Sequence, residues 1–201
     1  MKSALPKYGE FYHSPHIMCL SGVDHIKLKM DSFLTKYDYS RDGSVSQTGS
    51  DLISKIYLAS ANEVDFILND WSYSIYQTDG MQEALIKSLK PHRYFIGFVA
   101  DIDDGFAYQY GENGQIIRSY SKLSVTHNDF EEDSYGKPND IENSITHIED
   151  PMEKIQAVAV SFGFNLKIDL AVLAIYMQKH ERQKLSNAGA LTNIEFCGDS
   201  K

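Results

Sequence analysis

Hydrophobic positions between residues 50 and 185 follow two different periods, and each period predicts an element. In Ser50–Glu63 the apolar Leu52, Ile53, Ile56 and Tyr57 fall at i, i+1, i+4 and i+5. That is one stripe of a helix, with Ser50 or Asp51 as its N-cap. Val64–Leu68 reads as a strand, and Tyr73, Ile75 and Gln77 alternate in a short extended piece. Met81–Leu89 reads as a helix opened by Asp79-Gly80 and closed by Lys90-Pro91. Period two then takes over in Arg93–Asp101, Phe106–Tyr110 and Gln115–Tyr120, which are rich in aromatic and β-branched residues. Asp103-Asp104-Gly105 and Glu112-Asn113-Gly114 separate these segments, and Asp-Gly and Asn-Gly are residues that tight hairpins require. An antiparallel β-meander follows.

Helical spacing returns after Asp150-Pro151, with Met152, Ile155, Val158, Ala159 and Phe162 on one stripe and Gly163 as the stop. The apolar run in Ile168–Lys184, ending in bases, predicts a further helix. The tail 186–201 is expected to fray. The fold class expected for residues 1–201 is a single α+β domain, its meander packed on one face by helices.

Charge changes the picture between the meander and the last helices. Asp129–Glu153 holds nine acidic residues (Asp129, Glu131, Glu132, Asp133, Asp140, Glu142, Glu149, Asp150 and Glu153) against one base, Lys137. Gly136, Pro138 and Asn139 break regular structure, so residues 127–150 are expected to form an acidic loop. That stretch nearly accounts for the net charge of −9 of the 201-residue chain. Such a field disfavours nucleic-acid phosphates and anionic lipid and favours a basic protein partner. No apolar run approaches the about 20 residues of a membrane span, and with Cys19 and Cys197 as the two cysteines a disulfide framework is excluded. Two reduced, idle thiols in a cytoplasmic protein are the expectation.

Candidate chemistry is sparse. Asp38-Tyr39-Ser40-Arg41-Asp42-Gly43-Ser44-Val45 follows the start of a calcium loop, but its twelfth position is Gly49 where a bidentate carboxylate is required. A hairpin turning at Arg41-Asp42-Gly43, flanked by Tyr37, Tyr39 and Val45, is the simpler reading. Asp101, Asp103 and Asp104 have the spacing for a metal or acid–base site, yet the hairpin turn already explains the last two. His13, His16 and His25 lack the spacing of a zinc set, so no metal and no cofactor are expected. No nucleophile elbow and no phosphate-cradling glycine loop is present. Aromatics are the remaining abundance, with 13 Tyr, 10 Phe and the single Trp71. Exposed Tyr and Trp anchor protein interfaces, which makes Trp71, Tyr108 and Tyr110 candidate partner-binding residues beside Glu131, Glu132, Asp133, Asp140 and Glu142.

The order helix, strand, helix and a meander reading FVADIDDGFAYQYGENGQIIRSY, followed by EDPMEKIQAVAVSFGFNL, resembles small bacterial immunity proteins of polymorphic toxin systems over residues 50–170. The resemblance implies a non-enzymatic inhibitor that binds and neutralises a cognate toxin domain, and it carries over no functional residue. Two alternatives stand beside it. One is an enzyme using Asp101, Asp103 and Asp104, and the other is a non-catalytic regulatory binding module.

Overall fold

The computed structural model describes residues 16–42, 55–69, 75, 78–99, 105–126, 129–168 and 170–178. Their nine strands form one sheet, antiparallel at every pairing: β1 (His16–Ser21), β2 (Tyr39–Asp42), β3 (Lys55–Ala61), β4 (Val64–Asn69), β5 (Arg93–Val99), β6 (Phe106–Glu112), β7 (Gln115–Thr126), β8 (Asp129–Tyr135) and β9 (Ala171–Gln178). The order across the sheet is β2-β9-β3-β4-β1-β5-β6-β7-β8, which leaves β2 and β8 at the edges. Helices α1 (Ile26–Thr35), α2 (Met81–Leu89), α3 (Ile141–Ser144) and α4 (Pro151–Ser161) pack around it. This is the α+β class, with β5, β6 and β7 as the antiparallel meander.

Period two divides the strands between two cores. Met18, Leu20, Ile56, Leu58, Ile67, Tyr94, Ile96 and Tyr176 point to the face covered by α1 and α2. Cys19, Phe66, Leu68, Phe95, Phe106, Tyr108 and Tyr110 point to the face covered by α4. Helices therefore cover both faces, not one. The reason lies in the strands themselves, since successive residues of β1, β4 and β5 are buried on alternate sides and each side needs its own apolar cover. On the first face the Lys29 ammonium donates to the Leu89 carbonyl and ties α1 to the end of α2. On the second, α4 comes so close to β5 that a Cβ on Gly97 would stand 2.6 Å from Ile155 Cγ2.

Helix α4 begins as its sequence predicts. The Asp150 carboxylate accepts from the Met152 N–H, and Pro151 opens the first turn. The β6–β7 turn also forms as expected, with φ of 49° at Asn113 and 79° at Gly114.

Five expectations are corrected. Residues 55–61 of the expected Ser50–Glu63 helix are strand β3, paired on both sides, with Ile56 and Leu58 on one face of the sheet. Asn62 and Glu63 form the tight turn to β4 at φ 49° and 64°, without the glycine that would have announced it. Residues 171–178 of the expected Ile168–Lys184 helix are strand β9, where Ala174, Ile175, Tyr176 and Met177 are all buried. A short apolar run buried on both faces suits a strand as well as a helix, and pairing with β2 and β3 decides it. Arg41 and Asp42 lie inside strand β2, opposite Tyr176 and Ile175, and do not make a turn. Ile75 is helical and buried, not extended. The expected acidic loop begins as a seven-residue strand, β8, paired along β7, which runs on to Thr126.

Tyr73, Gln77, Gly43, Val45, His13, Cys197, the Asp103-Asp104 turn and the tail 186–201 lie outside the described residues. No helix among the described residues is long and apolar enough to cross a membrane.

Candidate functional site: the open face of the meander

Helices α1 and α2 cover the centre of their face and stop short of β6, β7 and β8. Alternation places Gln109 of β6, Ser119 and Ser121 of β7, and Asp133 and Tyr135 of β8 on this uncovered side, while Ile117 is the extra residue of a β7 bulge. Tyr135 is 62% exposed and Ile117 45%. In the register, Tyr135 stands opposite Ser119 and Asp133 opposite Ser121, so an aromatic ring and a carboxylate lie two residues apart on one face of the edge strand.

Where the open face meets α2 it deepens into a groove of about 160 Å³. Phe98, Ser119, Ser121, Asp133, His16 and Gln82 are among the residues that line it. His16 is buried, and its Nε2–H donates to Gln82 Oε1 at 3.0 Å. Burial holds the imidazole at a pKa of about 4 against the hydrogen bond, so the ring is neutral near pH 7. Next to the groove, Gln109 Nε2 donates to the Tyr94 hydroxyl at 3.0 Å. Asp133 is thereby the charged group among the groove's lining residues at neutral pH.

The opposite side of the same strands is closed. Tyr108 and Tyr110 are 3% and 6% exposed, with the Tyr110 ring stacked 4.2 Å from Phe162. Their rings fill the core under α4, and neither is presented at the surface. The burial that hides the Tyr110 hydroxyl also pushes its pKa up to about 12.

Glu142 is likewise turned inward. It takes a bidentate pair from Arg118, with Nε to Oε1 at 2.9 Å and Nη2 to Oε2 at 2.6 Å. It also accepts from the Tyr108 hydroxyl and the Asn139 N–H. Burial alone would raise this carboxyl, but the Arg118, Tyr108 and Asn139 hydrogen bonds together hold it below its usual range.

The sequence-derived residues thus separate. Glu132, Asp133 and Asp140 are exposed, Glu131 lies on the edge strand, Glu142 is partly buried and paired with Arg118, and Tyr108 and Tyr110 belong to the interior. Trp71, Asp101, Asp103 and Asp104 lie outside the described residues. Tyr135, Ile117, His16 and Gln82 were not singled out as partner-binding residues. Tyr135 follows the charge run directly, and reading Asp129–Tyr135 as a strand would have found it.

Cys19 is a buried free thiol, and its burial raises its pKa and keeps it unreactive. Among the described residues no three His, Cys, Asp or Glu side chains converge as a metal set. No family model, no curated protein and no solved structure matches the chain.

Proposed function

We propose that this chain is a non-catalytic immunity protein that binds a basic toxin domain in the cytoplasm and neutralises it, using the open face and acidic edge of the meander. The observation that carries the reading is Tyr135, a largely exposed aromatic held at the end of a paired, acidic edge strand. A ring fixed on a strand loses little entropy on binding and makes an interface anchor. Asp133 on the same face and Glu132 on the other face of the edge strand supply the field that speeds encounter with a basic surface. Lone surface charges on an edge strand also guard against edge-to-edge aggregation. A largely exposed aromatic on the same strand does not serve that purpose.

Association kinetics with a basic toxin domain encoded beside this gene test the reading. Reversing Glu131, Glu132 and Asp133 to Lys slows association most at low ionic strength. The difference from wild type fades at 1 M salt, where the Debye length is about 3 Å. Unchanged association of the triple reversal at low salt would remove the acidic edge from the account.

A further inference from the structure

The groove between α2 and the meander has the size and polarity of a receptor for one side chain. We propose that it takes an arginine side chain from the partner, a proposal that rests on the protein-binding reading above. Size argues first. About 160 Å³ is well below the roughly 300–1,000 Å³ of pockets that enclose cofactors or drug-sized ligands. It is ample for one long side chain.

Charge argues next. Among the described residues neither Lys nor Arg lines the groove, the buried His16 is neutral, and Asp133 carries the one formal charge. An anion would meet no counter-charge from these residues, whereas a cation finds Asp133, Ser119 and Ser121 in the lining. Shape separates arginine from lysine. A guanidinium is flat, it can take a carboxylate through two parallel N–H donors, and it stacks on an aromatic ring such as Phe98. An ammonium uses the same groove only as a point charge.

The strand register supports the same occupant. Asp133 and Tyr135 lie two residues apart on one face of β8, so an arginine seated in the groove places its own backbone alongside the Tyr135 ring. One partner segment can then reach both.

The test needs no partner protein. The full chain, labelled with ¹⁵N, is titrated with N-acetyl-arginine amide and separately with N-acetyl-lysine amide, following the Ser119 and Ser121 amides and the Gln82 side chain. Arginine amide is expected to give saturable shifts at these positions, and lysine amide weaker ones. Asp133→Asn should weaken the arginine response about fivefold, the worth of one exposed ion pair. Glu63→Gln, which removes an equal charge at the β3–β4 turn, should leave it unchanged. Absence of saturable shifts, equal response to lysine amide, or equal effects of the two substitutions would overturn the proposal. Because the probe is a free amide, a negative result leaves the toxin-binding reading standing on its kinetics. Conversely, arginine amide binding without any toxin binding would retain the groove and remove the proposed function.

Discussion

The Arg118 guanidinium and the Glu142 carboxylate form a bidentate pair beneath the sheet, and from there Arg118 governs the backbone at Tyr135 on the sheet's edge. Its Nη1 donates to the carbonyls of Tyr135 and Gly136 at 3.0 and 3.1 Å. A Cβ on Gly136 would run into the Ile117 carbonyl, so β8 ends in close contact with β7. The covered face of the meander thereby fixes the exposed ring on the open one.

Arg118 is 3% exposed, and removing it leaves the partly buried Glu142 carboxylate with the Tyr108 hydroxyl and the Asn139 N–H as partners among the described residues. Arg118→Met should cost about 1–3 kcal/mol in urea unfolding, less than for a fully buried pair because the Glu142 carboxylate stays partly solvated. Arg118→Met with Glu142→Leu should recover a large part of it. A small loss in the single variant would mean that the pair does not hold the end of β8.

His16 should make the protein acid-sensitive in a defined window. Its folded pKa of about 4 lies below the ordinary 6.5 because the ring is buried. The stability that goes with a neutral His16 is complete above pH 6.5, where neither state takes up the proton. Between 6.5 and 4 the unfolded chain binds a proton that the folded chain refuses, and stability falls, by on the order of 3 kcal/mol in all. Urea midpoints of wild type and His16→Gln, measured from pH 7.5 to 4, should diverge across that window. Parallel curves would contradict it.

Asp65 on β4 runs the other way. Partial burial raises its pKa to about 6 from 3.8, so its charged form is penalised in the folded state. The penalty is absent below pH 3.8 and complete above about 6. Asp65→Asn should therefore stabilise the protein at pH 8, by about 1 kcal/mol once solvent screening of a half-buried group is allowed for. At pH 3.5 thermal unfolding should show no gain.

The seating of α4 on the sheet depends on Gly97. A Cβ there would meet Ile155 Cγ2 at 2.6 Å, so Gly97→Ala should cost about 1–3 kcal/mol by overpacking. On an Ile155→Ala background, where that methyl is gone, the same change should cost clearly less. Additive losses in denaturant unfolding would place the clash elsewhere.

The meander and α4 were legible because local chemistry and tertiary need agree there. Asn113-Gly114 sets the β6–β7 turn, and Asp150-Pro151 starts the helix. Three other segments misled for physical reasons. Ile56 and Tyr57 fit a helical stripe as well as a strand, and the turn at Asn62-Glu63 has no glycine to mark it. The run ending in Ala174–Met177 is apolar on both faces, so it carries no period at all. Asp129–Tyr135 is so acidic that charge masked its pairing, although an edge strand needs only one bonded neighbour.

The candidate site was half visible. Glu132 and Asp133 were read from charge, but which face each occupies depends on the β7–β8 register. Tyr108 and Tyr110 looked like anchors by residue type alone, and alternation with α4 above them makes them core.

The most direct test of the account is calorimetric titration of the toxin domain into wild type, Tyr135→Ala and Leu28→Ala. Leu28 on α1 is 68% exposed, slightly more than Tyr135, and lies outside the open face. Binding through the meander predicts that Tyr135→Ala weakens affinity about tenfold or more, in the range of an interface hot spot. Leu28→Ala should bind as wild type does. Unchanged affinity for Tyr135→Ala, or a loss confined to Leu28→Ala, would contradict the claim that this face engages the toxin.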